Sequence, residues 1–127
     1  PETGLINSGI QYRSYMHKKG KRKVITGYQA DIGAGYWGDI YDEHRRGKLV
    51  KAGTEKLYAS EGWADDAWHT YKIVCKGNHH QLFINGIQTV DYTEENDKIP
   101  AKGFFALQLH KGGVAKIQYR NIKIKEL

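Results

Sequence analysis

The sequence predicts an all-β protein, a sandwich of two antiparallel sheets that forms one domain over residues 1–127. Three observations support this prediction. Apolar and polar residues alternate along most of the chain, which is typical of strands with one buried face. Turn signals rich in glycine and asparagine separate these segments. Spacings of three and four, which would indicate amphipathic helices, are almost absent.

The N-terminal part predicts an antiparallel pair of strands over residues 6–14 and 24–32. In the second of these segments, Gln29 and Asp31 occupy one face, and the alternate positions are apolar. Between the strands lies the most basic segment of the chain, residues 17–23. Glycine inside this segment indicates a solvated hairpin tip. A nucleic-acid-binding patch is less favoured, because no motif of stacking aromatic residues accompanies the basic residues.

The middle of the chain predicts a meander of three strands. A long strand over residues 68–76 ends at the turn Gly77-Asn78, and a return strand follows over 81–84. Asn85-Gly86 then predicts a tight hairpin, because both central residues of a type I′ turn need a positive φ. The third strand covers residues 87–92.

The C-terminal part predicts two more strands, over residues 103–110 and 115–125. The apolar positions of the last strand change parity midway, so a β-bulge near Arg120-Asn121 is expected to keep both halves buried. A single helical turn is expected within residues 61–68. These elements complete a sandwich or barrel with almost no helix.

Composition excludes several classes of protein. No apolar run approaches the roughly 18 residues that a membrane-spanning helix requires. The single cysteine, Cys75, excludes an internal disulfide and a cysteine-based zinc site. A net charge of +6 is typical of proteins with an anionic partner. A basic binding domain that uses Lys18 to Lys23, with strongly salt-dependent binding, is therefore the weakest of three functional hypotheses.

Seven segments, taken in order, resemble one protein family. They are NSGIQYRS (7–14), GYQADIG (27–33), GYWGDIYDE (35–43), WHTYKI (68–73), FINGIQTVDYTE (83–94), GFFALQLH (103–110) and YRNIKIKEL (119–127). Together they closely resemble the 3-keto-disaccharide hydrolase family, and the resemblance covers essentially the whole chain. It implies a concanavalin A-like jelly roll of two packed antiparallel sheets.

The resemblance also implies that the sandwich is incomplete on its N-terminal side. Members of the family carry further strands before the segment that matches NSGI, and these strands are missing from the sequence. Because an open sheet edge is prone to aggregation, we expect a second chain or fragment to supply them.

Polar residues on strands whose alternate positions are apolar are the candidates for a carbohydrate site. Amides and charged groups bind sugar hydroxyls, and aromatic rings stack on the faces of pyranose rings. The expected substrate-binding residues are Arg13, Gln29, Trp37, Tyr41, Glu43 and Gln108. The expected catalytic residues are Asp31 and His110, which would act as base and acid in either order.

The family's chemistry is the cleavage of 3-keto-glycosides or 3-keto-disaccharides. A ketone at C3 makes the hydrogen on C2 acidic, so that a base removes it and the glycosidic oxygen leaves from C1. Arg13 or a divalent cation is expected to stabilise the enolate. This first hypothesis places the protein outside the cell or in the periplasm. The alternative is a carbohydrate-binding module of the same fold, which needs no carboxylate and imidazole converging on one point.

Two further interpretations concern charged pairs. Asp42 and Glu43 belong either to the site or to salt bridges with Arg45 and Arg46. His79-His80 resemble a metal-binding pair, but adjacent strand residues point to opposite faces, which argues against a shared metal. Because the two residues lie at an expected hairpin tip, both are expected to be solvated.

Overall fold

The computed structural model describes residues 3–127 and confirms the all-β architecture. Within this range there are ten strands and one helix. They are β1 (Thr3–Gly4), β2 (Ser8–Lys19), β3 (Arg22–Ile32), β4 (Ile40–Glu43), β5 (Gly47–Val50), α1 (Glu55–Tyr58), β6 (Tyr71–Lys76), β7 (His79–Ile84), β8 (Ile87–Thr93), β9 (Phe104–Leu109) and β10 (Gly113–Val114).

The strands form two main antiparallel sheets. The larger sheet has the order β5-β4-β3-β2-β9, and the smaller has the order β6-β7-β8. A short ladder joins β1 to β10. The hairpin of β2 and β3 is the longest pairing, with a register that runs from Ser8 opposite Ile32 to Lys19 opposite Arg22. Its tip at Gly20-Lys21 lies in the basic segment, as the sequence predicts.

The core fills the space between the two sheets. Tyr12 of β2 and Tyr28 of β3 stack with ring centroids 5.4 Å apart, and both are almost fully buried. Ala30 and Ile40 continue this face, and Leu82 packs against it from the smaller sheet. Burial of each large apolar side chain stabilises the fold by roughly 1.5–3 kcal/mol. Because Tyr28 and Ala30 of β3 face the core, the alternate positions of this strand point away from it.

The two turns of the predicted meander lie where the sequence places them. Gly77-Asn78 joins β6 to β7, and Asn85-Gly86 joins β7 to β8, with φ angles of 52° at Asn85 and 77° at Gly86. The Asn85 side chain also accepts a hydrogen bond from the backbone N–H of Thr70 at 2.9 Å. Asn85 therefore fixes both the hairpin and the loop that leads into β6.

Two local predictions were wrong. The helical turn lies at α1 rather than within residues 61–68, because Leu57 provides a fully buried anchor there. His80 is buried rather than solvated, since strand alternation turns it inward while His79 faces solvent. Tyr12 Oη and His80 Nδ1 lie 3.1 Å apart, in hydrogen-bond contact. Burial lowers the pKa of His80 to about 4, so the ring is neutral at physiological pH.

The predicted strand over residues 115–125 does not form a ladder within the described part of the chain. Asn121 has a φ of 54°, at the position where the sequence predicts the parity change. Ile122 and Ile124 nevertheless stay 68% and 70% exposed, because no described strand lies beside them. The expected burial of this second half was therefore wrong.

An apolar face of β9 is also uncovered. Phe105, Leu107 and Leu109 are each more than half exposed. Leu107 lies opposite Ile10, which packs against the core, so this face is turned to the space between the sheets. It is the surface that the expected second chain would cover, and that expectation stays a prediction. Within residues 3–127, no helix is long and apolar enough to cross a membrane.

Candidate functional site

A cavity of about 550 Å³ lies on the face of the larger sheet that is turned away from the core. This volume is within the range of small-molecule sites. Asp31 from β3 and His110, which follows β9, both border it, although they are far apart in sequence. Its lining comprises Leu5, Asn7, Gln29, Asp31, Gly35, Tyr36, Asp39, Ile40, Tyr41, Glu43, Lys48, Leu49, Val50, Lys51 and His110.

Gly9 makes room for the polar centre of this cavity. It lies in β2 directly opposite Asp31 on one side and Gln108 on the other. A Cβ atom at Gly9 would come within 2.5 Å of Cγ of Gln29. Because glycine has no side chain, the side chain of Gln29 passes over Gly9 and reaches both Asp31 and Gln108.

Gln29 links the strands through its amide group. Its Nε2 donates to Asp31 Oδ1 at 2.7 Å and to Gln108 Oε1 at 3.1 Å. Its Oε1 is buried and has no hydrogen-bond partner among residues 3–127. Gln108 does not border the cavity and acts here by holding Gln29.

Asp31 is the most perturbed acid of the site. It is 5% exposed, and burial raises its pKa to about 7. The hydrogen bond from Gln29 works in the opposite direction, while the nearby charges of Asp39 and Glu43 raise the pKa further. A carboxyl group that exchanges its proton near neutral pH is suited to general acid or base catalysis.

His110 is held in one tautomer. Its backbone N–H donates to the carbonyl of Asn7 at 3.0 Å. Its Nδ1 lies 2.6 Å from the carbonyl oxygen of Lys111, which can only accept, so Nδ1 carries the hydrogen. The neutral ring therefore keeps its lone pair on Nε2. A neutral imidazole in this tautomer is able to take up a proton.

Two cationic residues of the cavity, Lys48 and Lys51, were missed by sequence reasoning. Lys51 Nζ donates to the carbonyl of Gly35 at 2.8 Å and to Asp39 Oδ2 at 3.2 Å. Lys48 also lines the cavity. Lys48 lies in β5 and Lys51 directly follows it; this strand spans only four residues, which is too short for alternation to be detected in the sequence.

The structure places two predicted binding residues elsewhere. Trp37 is 6% exposed and packs edge-on against Trp63 in a second core cluster. Its Nε1 donates to Asp65 at 2.8 Å. Arg13 lies at a bulge of β2, with a φ of 47°, and borders a separate cavity beside Glu94. Neither residue borders the cavity that holds Asp31, so Arg13 is not placed to stabilise an enolate there.

Asp42 and Glu43 separate according to strand alternation. Glu43 borders the cavity. Asp42 is fully buried and forms ion pairs with Arg45, at 2.7 Å, and with Arg46. Arg46 Nη2 also pairs with Glu94 at 2.6 Å, and its hydrogen bonds help to lower the pKa of Glu94 to about 2 despite burial. Asp42 thus forms the salt bridges that the sequence allowed, whereas the role of Glu43 in a site stays a prediction.

The described residues show no ready-made metal centre. Among residues 3–127, no group of three or more His, Cys, Asp or Glu side chains is arranged to hold a metal ion. Asp31 accepts a hydrogen bond from Gln29, and Asp39 accepts one from Lys51.

Comparison with protein families agrees with the sequence motifs. A family model described as a 3-keto-alpha-glucoside-1,2-lyase-like domain matches residues 1–125. The chain belongs to this family. No curated protein sequence matches the chain. Membership of the 3-keto-alpha-glucoside-1,2-lyase-like family gives the chain a carbohydrate-related function, and it confirms the resemblance seen in the sequence.

Proposed function

We propose that the chain cleaves 3-keto-glycosides at the cavity described above, with His110 as the base and Asp31 as the acid. The observation that carries this proposal is their placement in one cavity: a carboxyl group whose pKa is about 7 and an imidazole whose Nε2 is free to accept a proton. Substrate binding is assigned to Gln29, Tyr41 and Glu43.

The reaction begins at C2 of the sugar. His110 Nε2 removes the C2 proton, and the electrons of the C–H bond form an enolate with the C3 ketone. The enolate then expels the glycosidic oxygen from C1, and the protonated carboxyl group of Asp31 donates its proton to that oxygen. Addition of water to the resulting double bond completes net hydrolysis. Each residue exchanges one proton, so the charges of the pair are restored when water adds.

Enolate stabilisation is assigned to Lys51, which lines the cavity. Its ammonium group contacts Asp39 and the carbonyl of Gly35. A cation beside the substrate stabilises negative charge that develops in the transition state. Lys51 therefore takes the part that the sequence analysis gave to Arg13.

Turnover of a 3-keto-glucoside by purified variants tests this assignment. Asp31→Asn and His110→Ala should each lower kcat about 10²–10⁴-fold, the usual contribution of a general acid or base. Lys123→Ala is the matched control, because this exposed residue lies outside the cavity. Melting temperatures show whether the variants fold. Equal turnover in folded His110→Ala and Lys123→Ala would remove His110 from the chemistry.

A carbohydrate-binding module remains the second candidate. The tyrosines that border the cavity, Tyr36 and Tyr41, favour sugar binding with or without cleavage. Calorimetry with a 3-keto-glucoside separates the two functions. Binding without any turnover by the wild-type protein would support the module and contradict the enzyme.

Two expectations accompany the proposal. We place the protein outside the cytoplasm, and cell fractionation of its source with an antibody against the chain tests this location. We also retain a second polypeptide as partner, supported by the exposed apolar side chains of β9. Co-purification of a second polypeptide bound to the chain from its source would support the partner, and isolation of the chain alone would contradict it.

A further inference from the structure

A two-stranded ribbon projects beyond the larger sheet. β4 pairs with β3 only from Gly27 to Ala30, and β9 pairs with β2 only as far as Ser14. Residues 15–25 therefore have no neighbouring strand on either side within the described chain, and most of their side chains are exposed. We call these residues the basic arm.

Like charges face each other across the basic arm. Lys18 lies directly opposite Lys23, and Lys19 lies directly opposite Arg22, with Lys21 in the turn. No Asp or Glu occurs between Thr3 and Ala30 in the sequence. Directly opposed like charges destabilise a ladder. A hairpin tip that only had to be soluble would not need this arrangement, and a bound anion would relieve it.

One pair lies on the same face of β3 as the cavity. Odd positions of β3 include Lys23, Gln29 and Asp31, and the register brings Lys18 to the side of Lys23. Eight residues separate Lys23 from Asp31, which is about 27 Å along a strand. A ligand that contacts both regions must therefore be an extended chain.

We propose that the basic arm binds an anionic polysaccharide, a chain that carries carboxylate or sulfate groups. Lys18 and Lys23 form the principal contact, because they continue the face on which the cavity opens. A carbohydrate polymer suits the family's carbohydrate-related function. Nucleic acid is disfavoured because single-strand binding relies on rows of aromatic rings, and Tyr15 is the only Phe, Tyr or Trp of the arm. The inference goes beyond the proposed function and does not require cleavage at the cavity.

Binding to polygalacturonate and to heparin, measured by calorimetry at low salt, tests the proposal. Lys18→Gln/Lys23→Gln should lower the affinity for at least one of these polymers about tenfold or more. The control Lys123→Gln/Lys125→Gln removes the same charge from exposed positions elsewhere and should change the affinity less than twofold. Binding should weaken steeply as salt rises. Neutral dextran should not bind.

Other outcomes would overturn the proposal. Equal losses in the two double variants would show a general effect of net charge. Binding to duplex DNA that is tighter than to either polysaccharide would indicate a nucleic-acid surface. Polymer affinity is measured on the wild type and the lysine variants, and turnover of a 3-keto-glucoside on the cavity variants, so failure of the proposed cleavage and failure of this inference are distinguishable. Without ligand, the arm variant should melt at or above the temperature of the wild type, because its opposed charges are gone.

Discussion

The raised pKa that suits Asp31 to the proposed acid catalysis also lowers the stability of the fold at neutral pH. Its carboxyl group is buried, and its pKa in the folded protein is about 7, against 3.8 in an exposed chain. The folded state therefore holds a proton that the unfolded state has released. The free energy of unfolding must fall as pH rises from about 4 to 7, by on the order of 4 kcal/mol.

Asp31→Asn should remove this penalty. Its side-chain oxygen still accepts the hydrogen bond from Gln29, but it carries no charge. Urea unfolding should show the variant to be more stable than the wild type at pH 8 and about equal to it at pH 4. A variant that is less stable at pH 8 would contradict the assigned pKa.

His80 has the opposite pH dependence. Its pKa is about 4 in the folded protein and 6.5 when exposed, so the unfolded state binds the extra proton. Its contribution is complete above pH 6.5 and is lost as pH falls toward 4, by about 3 kcal/mol. His80→Gln should lack this loss, so the stability advantage of the wild type should shrink between pH 7 and pH 4. A constant difference in urea unfolding would contradict the prediction.

Among the elements, β2 has the most demanding position in the site. Gly9 lies between Asp31 and Gln108, and any larger residue meets Gln29. Gly9→Ala should displace Gln29, break its hydrogen bond to Asp31 and raise the pKa of Asp31 further. Overpacking of this kind destabilises proteins by about 1–3 kcal/mol. We expect turnover to fall roughly tenfold or more and its pH profile to shift upward.

Gly53→Ala is the matched control for this experiment. A Cβ atom at Gly53 would lie 3.9 Å from Oε2 of Glu55, which is an ordinary contact distance. Turnover and its pH profile should remain those of the wild type in this variant. Similar pH profiles for the two alanine variants would show that Gln29 does not tune Asp31.

At the scale of the whole molecule, we expect the uncovered face of β9 to promote association. Leu107 and Leu109 are 51% and 59% exposed beside the other apolar residues of this face. Large apolar patches mark interaction surfaces or sites of aggregation. Leu107→Gln/Leu109→Gln should therefore reduce concentration-dependent association in sedimentation velocity. A wild-type protein that stays monomeric at high concentration would contradict this.

The sequence by itself determined most of the longer strands and the turns of the meander. Period-two alternation is a local signal, and Asn85-Gly86 needs only its own backbone to specify a hairpin. The same alternation placed Gln29 and Asp31 on one face of β3, and the ordered motifs identified the family. Such inferences succeed because neighbouring residues supply the physical cause.

Only the tertiary structure decided which of these faces meet. Asp31 and His110 border one cavity because β2 lies between their strands, and no local pattern states this strand order. Trp37 is of a residue type that stacks on sugar rings, yet contact with Trp63 buries it. His80 lies at a predicted hairpin tip, but the tyrosines of the opposite sheet enclose it. Burial depends on residues distant in the chain, whereas alternation reports only which side chains share a face.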